Sequence, residues 1–335
     1  METTTKVSVI IPVYNAEKFV EKCVVSLMEQ TLADGIEFIF VDDNSPDNSV
    51  DIIRKTVALY PHRVSHTKIV TQKDGRGVSA ARTLGMANAS GEYLIHCDSD
   101  DWVEADAYES MLTVAMAQSA DLVVCDFCLN GAREVIKSQK PDECSSESLL
   151  ASISGASQKV IHGSLCNKLI RKTLCDKAKF PEGVNYCEDV FLLFQILKED
   201  IKIAYLPRGL YHYRVNPKSL VNTLPESRKT ECVELMRLIS EMRDDSRSDS
   251  FSRACEAKIA GLIHYLCSVD MLNCMALKGE FTNYRGFLNS NNQITETERK
   301  YIVNFMEGRV VKAFVESKIC RYRMIARNLW KRYVG

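Results

Sequence analysis

No apolar run in this 335-residue chain approaches the roughly 18 uninterrupted residues of a membrane span. Neither sign of charge is in excess: 43 Lys and Arg stand against 44 Asp and Glu, a net of −1. That balance excludes a protein that is basic overall and coats nucleic acid. Glycine and proline are sparse, at 15 and 8 residues, and no internal repeat is present. Composition therefore excludes collagen-like, low-complexity, coiled-coil and disordered classes. There is no Walker loop, no G-x-S-x-G and no H-E-x-x-H. The opening stretch "METTTKVSVIIPVYN" has one Lys before a short apolar run that Pro12 interrupts, with no small-residue cleavage site. It does not read as a secretory signal, and a cytoplasmic location is expected.

What is abundant is cysteine. The thirteen cysteines are odd in number and sit inside apolar runs, as Cys97 does in "YLIHCD" and Cys267 in "HYLCSV". Such thiols behave as small buried hydrophobes and persist best in a reducing compartment. Hydrophobic residues make up 46% of the chain. At about 150 residues per domain the length suggests two domains.

The first 125 residues alternate strand and helix signals. Val7–Val13 is a β-branched run suited to a strand buried on both faces, and Ala16–Gln30 carries apolar residues at helical spacing. "IEFIFVDD" predicts a second strand, and Ser45 with Pro46 predicts the start of a helix. A strand near Lys68–Val70, a helix through Ala89 and the strand "GEYLIHCDSDD" follow. Such alternation predicts an α/β fold with a mostly parallel, Rossmann-like sheet and helices on both faces. From Cys128 to Ser157 the chain turns polar and reads as an insertion or long loop. Beyond Leu224 only helices are expected: Glu231–Met242, Phe251–Leu272, Glu296–Phe305 and Val310–Tyr333. The domain boundary is expected near Val221, giving a domain of residues 1–221 and a helical region of 222–335.

Acids collect at strand ends, where open α/β sheets bind ligands. Asp42 and Asp43 end one strand, and Asp98, Asp100 and Asp101 end another. If the chain stays extended through Ser99, Asp98 and Asp100 aim to one side and repel unless a cation lies between them. Mg²⁺ or Mn²⁺, which take carboxylates together with phosphate oxygens, would suit that position. Alternatively, Asp100 and Asp101 cap a helix starting at Trp102. A competing motif is "GRGVSA" (Gly75–Ala80), a G-x-G-x-x-A fingerprint that would make the chain an NAD-dependent oxidoreductase, with Asp98 about 20 residues on as the ribose acid. It follows the third strand rather than the first. A sugar-nucleotide nucleotidyltransferase would want a Gly-rich basic loop after the first strand, and "PVYNAEKF" is not one. A non-catalytic binding module leaves acids at three separate places unexplained.

Four blocks, "VSVIIPVYNAEKFVEKCVVSLMEQTL", "FIFVDDNSPDNS", "GVSAARTLGMANASGEYLIHCDSDD" and "EDVFLLFQIL", stand in order over about residues 6–215. Together they resemble the family 2 glycosyltransferases of the GT-A fold. The resemblance implies an inverting, metal-dependent transferase moving a sugar from a nucleotide-sugar, a UDP-sugar, to a glycan or lipid-linked hydroxyl in surface-polysaccharide synthesis. It implies that Pro12 and Tyr14 line the nucleobase pocket and that Asp42 and Asp43 recognise the base. Arg82 lies near the donor. Asp98-Ser99-Asp100 is the D-x-D, with Asp98 and Ser99 toward the nucleotide-sugar and Asp98 and Asp100 toward Mn²⁺ or Mg²⁺. Asp189 is implied as catalytic base beside Glu188, and His212 of "YHYR" as a further metal ligand. Thr83, where the family has Asn, and "KDGRG" depart from the pattern beside the donor.

Cys125-x-x-Cys128 has no second pair at metal spacing and reads as a strand whose cysteines face opposite ways. His96 reads as a satisfied core histidine, and Lys73 and Arg76 as phosphate-facing or solvated. Residues 312–335 carry seven basic groups against one acid. Val315, Ile319, Tyr322, Ala326, Leu329 and Tyr333 form one apolar stripe there. Such a helix, residues 310–335, suits either the inner face of an anionic membrane or packing on the domain. Residues 1–220 carry 24 basic and 30 acidic groups, and residues 221–335 carry 19 and 14. The near-neutral total therefore conceals an acidic part and a basic part.

Overall fold

The computed structural model describes residues 5–215, 226–245, 248–271 and 274–320. The expected boundary near Val221 and residues 321–335 of the basic segment lie outside the described residues.

Nine strands form one mixed sheet: β1 (Val7–Val13), β2 (Ile36–Asp42), β3 (Thr67–Thr71), β4 (Tyr93–His96), β5 (Trp102–Val103), β6 (Leu122–Asn130), β7 (Glu134–Lys137), β8 (Lys168–Arg171) and β9 (Ile203–Arg214). Their order is β3-β2-β1-β4-β8-β6-β9-β5, with β7 on β6. β1, β2, β3 and β4 are mutually parallel, as are β6 and β9. β8, β5 and β7 run antiparallel to their neighbours, so the sheet is less uniformly parallel than the alternation predicts. The β-branched runs of β1 and β2 are buried on both faces because helices lie between successive strands. Helix Val20–Met28 buries Val20, Cys23, Val24, Leu27 and Met28, each contributing about 1.5–3 kcal/mol relative to exposure.

Several local expectations are corrected. The helix after β2 begins at Ser49, not Ser45. Asp42 Oδ1 accepts the Ser45 amide at 3.0 Å, and Asp47 Oδ1 accepts the Ser49 amide at 3.1 Å. These side-chain turns hold "NSPD" out of the helix. Trp102–Val103 is strand β5, so Asp100 and Asp101 do not cap a helix there. The polar stretch after Cys128 continues β6 to Asn130 and returns as β7, followed by helix Ser146–Ser154.

The chain divides into two compact units, Met1–Leu149 with Ile161–Ser219, and Leu150–Val160 with Leu220–Gly335. The second unit holds helices Glu226–Asp244, Asp249–Asp270 and Glu296–Met306 and a helix over 310–320. Within it, Asn291 Nδ2 donates to Ala257 O at 2.8 Å, and the Glu296 helix starts in a capping box of Thr295 and Glu298. Among the described residues no helix is long and apolar enough to cross a membrane.

Candidate active site

The carboxyl ends of β1, β2 and β4 gather the residues singled out above. β1 and β2 each leave the sheet through an asparagine in left-handed backbone, Asn15 at φ 51° and Asn44 at φ 59°. Asparagine tolerates that conformation better than other side chains. Pro12 is half-buried in β1, and Tyr14 stands exposed just beyond it.

Asp42 and Asp43 are buried. Asp43 Oδ1 accepts Gln72 Nε2 at 2.8 Å and the Arg76 amide at 2.9 Å, while Oδ2 accepts the Gly77 amide at 2.8 Å. Both Asp43 oxygens thus organise the Gly-rich loop. The amides that a dinucleotide would need from "GRGVSA" already serve this carboxylate, which removes the physical basis of the oxidoreductase alternative. Gly77, at φ 86°, opens helix Val78–Ala87. An added Cβ there would strike the Asn185 side chain at 2.3–2.6 Å. Arg76 pairs with Asp74 on the surface, and Thr83 Oγ1 bonds back to Ser79 O within the helix.

After β4 the chain does not stay extended. The Asp101 amide donates to Asp98 O at 3.1 Å, so Asp98–Asp101 is a turn. The turn brings in Asp101 as a third carboxylate, buried where Asp98 and Asp100 are only half-buried. Tyr211, from β9, donates its hydroxyl to Asp101 Oδ2 at 2.5 Å and accepts the Asp98 amide at 3.3 Å. Arg214 donates its amide to Asp101 Oδ1 at 2.7 Å and its Nε to Asp100 O at 2.8 Å. Burial, and then the neighbouring Asp98 charge, push Asp100 up to about 6. Burial, Asp98 and Asp100 push Asp101 up to about 8. Of the three carboxylates in this turn, Asp100 and Asp101 are short of positive charge. Their oxygens are the hard donors that Mg²⁺ or Mn²⁺ prefers, so the residues fit such an ion.

Arg82 joins the separate blocks. From helix Val78–Ala87 its Nη2 reaches Asp98 Oδ1 at 3.0 Å and its Nη1 reaches Glu188 Oε1 at 2.7 Å. It is buried, and its two carboxylate partners outweigh desolvation and keep it protonated. Burial pushes Glu188 upward, with the Arg82 guanidinium pulling the other way. Asp189 stands next to Glu188 at the start of helix Glu188–Leu197, half-buried, and its charge reaches both Arg82 and Lys168. The residue before the pair, Cys187, has φ 56°. This is an uncommon conformation for a residue with a Cβ, of the kind held at sites by their surroundings.

His212 is not brought to Asp98 and Asp100. Its side chain is taken up by other partners. Its Nε2 lies 2.7 Å from Glu104 Oε1, its Nδ1 3.2 Å from Asn130 Nδ2, and its ring stacks on Trp102 at 5.1 Å. His96 is buried as expected, yet its Nδ1 has no partner among the described residues, and burial holds it well below the usual histidine range.

The sequence does not single out Tyr211, and it offers Asp101 only as a strand-end acid or helix cap. The signal for Tyr211 was the two-residue period of "YHYR", which puts Tyr211 and Tyr213 on one face. Lys168 was also missed: it is fully buried and donates to His162 O, Ser164 O and Asn167 Oδ1 at 2.7–2.9 Å. Those residues wall a cavity of about 150 Å³ that Phe127, Tyr211 and Tyr213 also line.

Comparison with known proteins agrees with this fold. The profile described as "Glycosyl transferase family 2" matches residues 8–176, half of the chain, and ends before Glu188. The uncharacterized glycosyltransferase EpsJ of Bacillus subtilis is 32% identical over 222 residues, 64% of this chain and 62% of its own. The chain thus spans a little under two thirds of the length of that curated relative. The structure of Staphylococcus aureus TarS 1-349 in complex with UDP-GlcNAc superposes with a TM-score of 0.69 at 17% identity, over 95% of this chain and 92% of that one. The mannosyltransferase PcManGT from Pyrobaculum calidifontis, in complex with GDP-Man and Mn²⁺, gives 0.55 at 16%, over 93% and 86%.

Proposed function

The chain belongs to glycosyl transferase family 2, and on that premise we propose that it transfers a sugar from a UDP-sugar to a hydroxyl of a glycan or lipid-linked acceptor. The observation that carries this reading is the Arg82 bridge between Asp98 and Glu188, which joins two blocks far apart in sequence into one acidic cluster. The UDP-GlcNAc bound by TarS and the Mn²⁺ bound by PcManGT, two proteins of the same fold, support the choice of donor class and ion.

In the proposed reaction the acceptor oxygen attacks the anomeric carbon from the face opposite the diphosphate. The new C–O bond forms as the old one breaks, the nucleoside diphosphate leaves with the bonding pair, and the configuration inverts. Asp189 takes the proton from the attacking hydroxyl, a contribution on the order of 10²–10⁴ in rate. Arg82 keeps Glu188 and Asp98 oriented, and Tyr211 fixes Asp101 behind them. Asp98 and Asp100 would hold Mn²⁺ or Mg²⁺, which supplies neutralisation of the charge developing on the departing diphosphate. Pro12, Tyr14, Asp42 and Asp43 surround the nucleobase in this reading, with Ser99 toward the donor.

The test is a thermal-shift and turnover pair. UDP should raise the unfolding midpoint only when Mn²⁺ is present. Asp189→Asn should keep that shift while losing transfer by about 10²–10⁴-fold. Near-wild-type turnover in this variant, or stabilisation by NAD in place of UDP, would sink the reading.

The same proposal extends to a peripheral membrane contact for a lipid-linked acceptor. Val311, Val315 and Ile319 are exposed at four-residue spacing on the 310–320 helix, which also carries Lys312 and Lys318. Flotation with anionic vesicles should be reduced when residues 310–335 are removed, and equal binding would dismiss the contact.

A further inference from the structure

We propose that Cys128, Glu134 and His212 form a second metal site, suited to Zn²⁺ and separate from the Asp98–Asp101 carboxylates. The topology builds it. β7, β6 and β9 are adjacent, with Cys128 in register with His212 and Asn130 in register with Glu134. Residues in register share a face, and Cys128 and Asn130, two apart, share it as well. One thiol sulfur, one imidazole nitrogen and one carboxylate oxygen therefore come within 4.8 Å of one another. This is the face of β9 opposite Tyr211.

Three further observations go beyond proximity. Glu104 Oε1 lies 2.7 Å from His212 Nε2, the carboxylate–histidine arrangement that fixes the tautomer of a metal-bound imidazole. It leaves Nδ1, 3.6 Å from Glu134 Oε2, as the ligand nitrogen. The stacked Trp102 ring, inclined by only 10°, holds the imidazole plane. Gly209 makes room for the thiol: a Cβ there would lie 2.8 Å from Cys128 Sγ. Three protein donors leave a fourth position for water, as in zinc sites with an open coordination position.

A mixed sulfur, nitrogen and oxygen set prefers Zn²⁺, whereas an all-carboxylate set prefers Mg²⁺ or Mn²⁺. The chain would thus sort two kinds of divalent ion into two donor sets. Binding replaces the Asn130 amide at Nδ1 and the Lys22 charge that now faces Glu134. The Cys128 thiol gives its proton to solvent as the sulfur–metal bond forms. Cys128 thereby acquires a partner set that its Cys125-x-x-Cys128 context did not disclose.

The experiment uses the full chain, freed of metal and titrated with Co²⁺ as a coloured stand-in for Zn²⁺. One Co²⁺ per chain should produce a thiolate-to-cobalt charge-transfer band, which excess Zn²⁺ removes. Cys128→Ser and His212→Gln should each lose the band, and Asp100→Asn should keep it. Glu104→Gln should keep the band while weakening Co²⁺ affinity by about 10–100-fold. Glu134 is exposed, so Glu134→Gln tests the site without risk to the fold, and it should weaken Co²⁺ binding too. No band in the wild type, a band that survives Cys128→Ser, or unchanged affinity in Glu134→Gln would overturn the proposal. Loss of the band in Asp100→Asn would do so as well, by assigning the ion to the carboxylates after β4.

Discussion

Two strand ends carry neighbouring acids, Asp42-Asp43 after β2 and Asp98 to Asp101 after β4, and they differ in what the carboxylates do. At the first, Asp42 accepts the Ser45 amide and Asp43 accepts two loop amides and the Gln72 side chain, so the acids build the loops that follow them. At the second, Asp98 takes Arg82 and Asp101 takes Tyr211, while Asp100 receives no side-chain hydrogen bond among the described residues and is crowded by Asp98. Adjacent acids at the end of a buried strand are thus of two kinds. One kind is already neutralised by backbone donors, and the other awaits a cation.

Substitutions separate the two kinds. The largest effect is expected at Asp100: Asp100→Asn should lower Mn²⁺-dependent transfer by about 10²-fold or more. Without metal the same variant should melt slightly higher than wild type, because a crowded charge is gone. A lower melting point would mean that Asp100 is structurally engaged after all. Next, Asp43→Ala should destabilise the first unit by about 1–3 kcal/mol, since the amides of Arg76 and Gly77 lose a charged acceptor. Denaturant melts would show it, and an unchanged midpoint would erase the distinction.

The smallest effect calibrates the comparison in the second unit. Glu298, with His264 Nε2 3.2 Å from its Oε1 and Thr295 donating to its Oε2, is lowered to about 2 from an ordinary 4.5 by these two partners, His264 first. Its folded value lies below its unfolded one, so its stabilisation is present above about pH 4.5 and is lost as pH falls toward 2. Helical circular dichroism of Glu298→Gln, melted across that range, should show a flatter pH dependence than wild type. Parallel curves would remove the engaged carboxylate from the comparison.

Where long apolar runs decide structure, the sequence was readable. β1, β2 and β4 are continuous buried segments, and the acids at their ends stand where period and strand length put them. Less was readable where short contacts override pattern. β5 has two residues and β8 opens on Lys168, a residue that reads as surface until three oxygens are found around its Nζ. Ser45 and Pro46 carry a helix-start signature that two aspartate side chains override. Arg82 was legible as a donor-side residue, but its bridge to Glu188 spans 106 positions and has no local trace. His212 carries a metal role only by resemblance, and its partners in the structure are Glu104, Asn130 and Trp102.

β8 has a consequence for how the chain is made. β6 is complete at Asn130, yet its sheet neighbours on either side, β8 and β9, begin only at Lys168 and Ile203. During synthesis both β4 and β6 emerge with unpaired edges, and the strand that joins them arrives only later, from the C-terminal side. Such non-local closure slows folding and leaves strand edges open to other chains meanwhile. A nascent chain halted before Lys168 holds every strand of the β1–β4 group and the D-x-D turn. It lacks the four-residue strand that pairs with the free edge of β4, so it is a candidate for chaperone capture rather than an independent nucleotide-binding half.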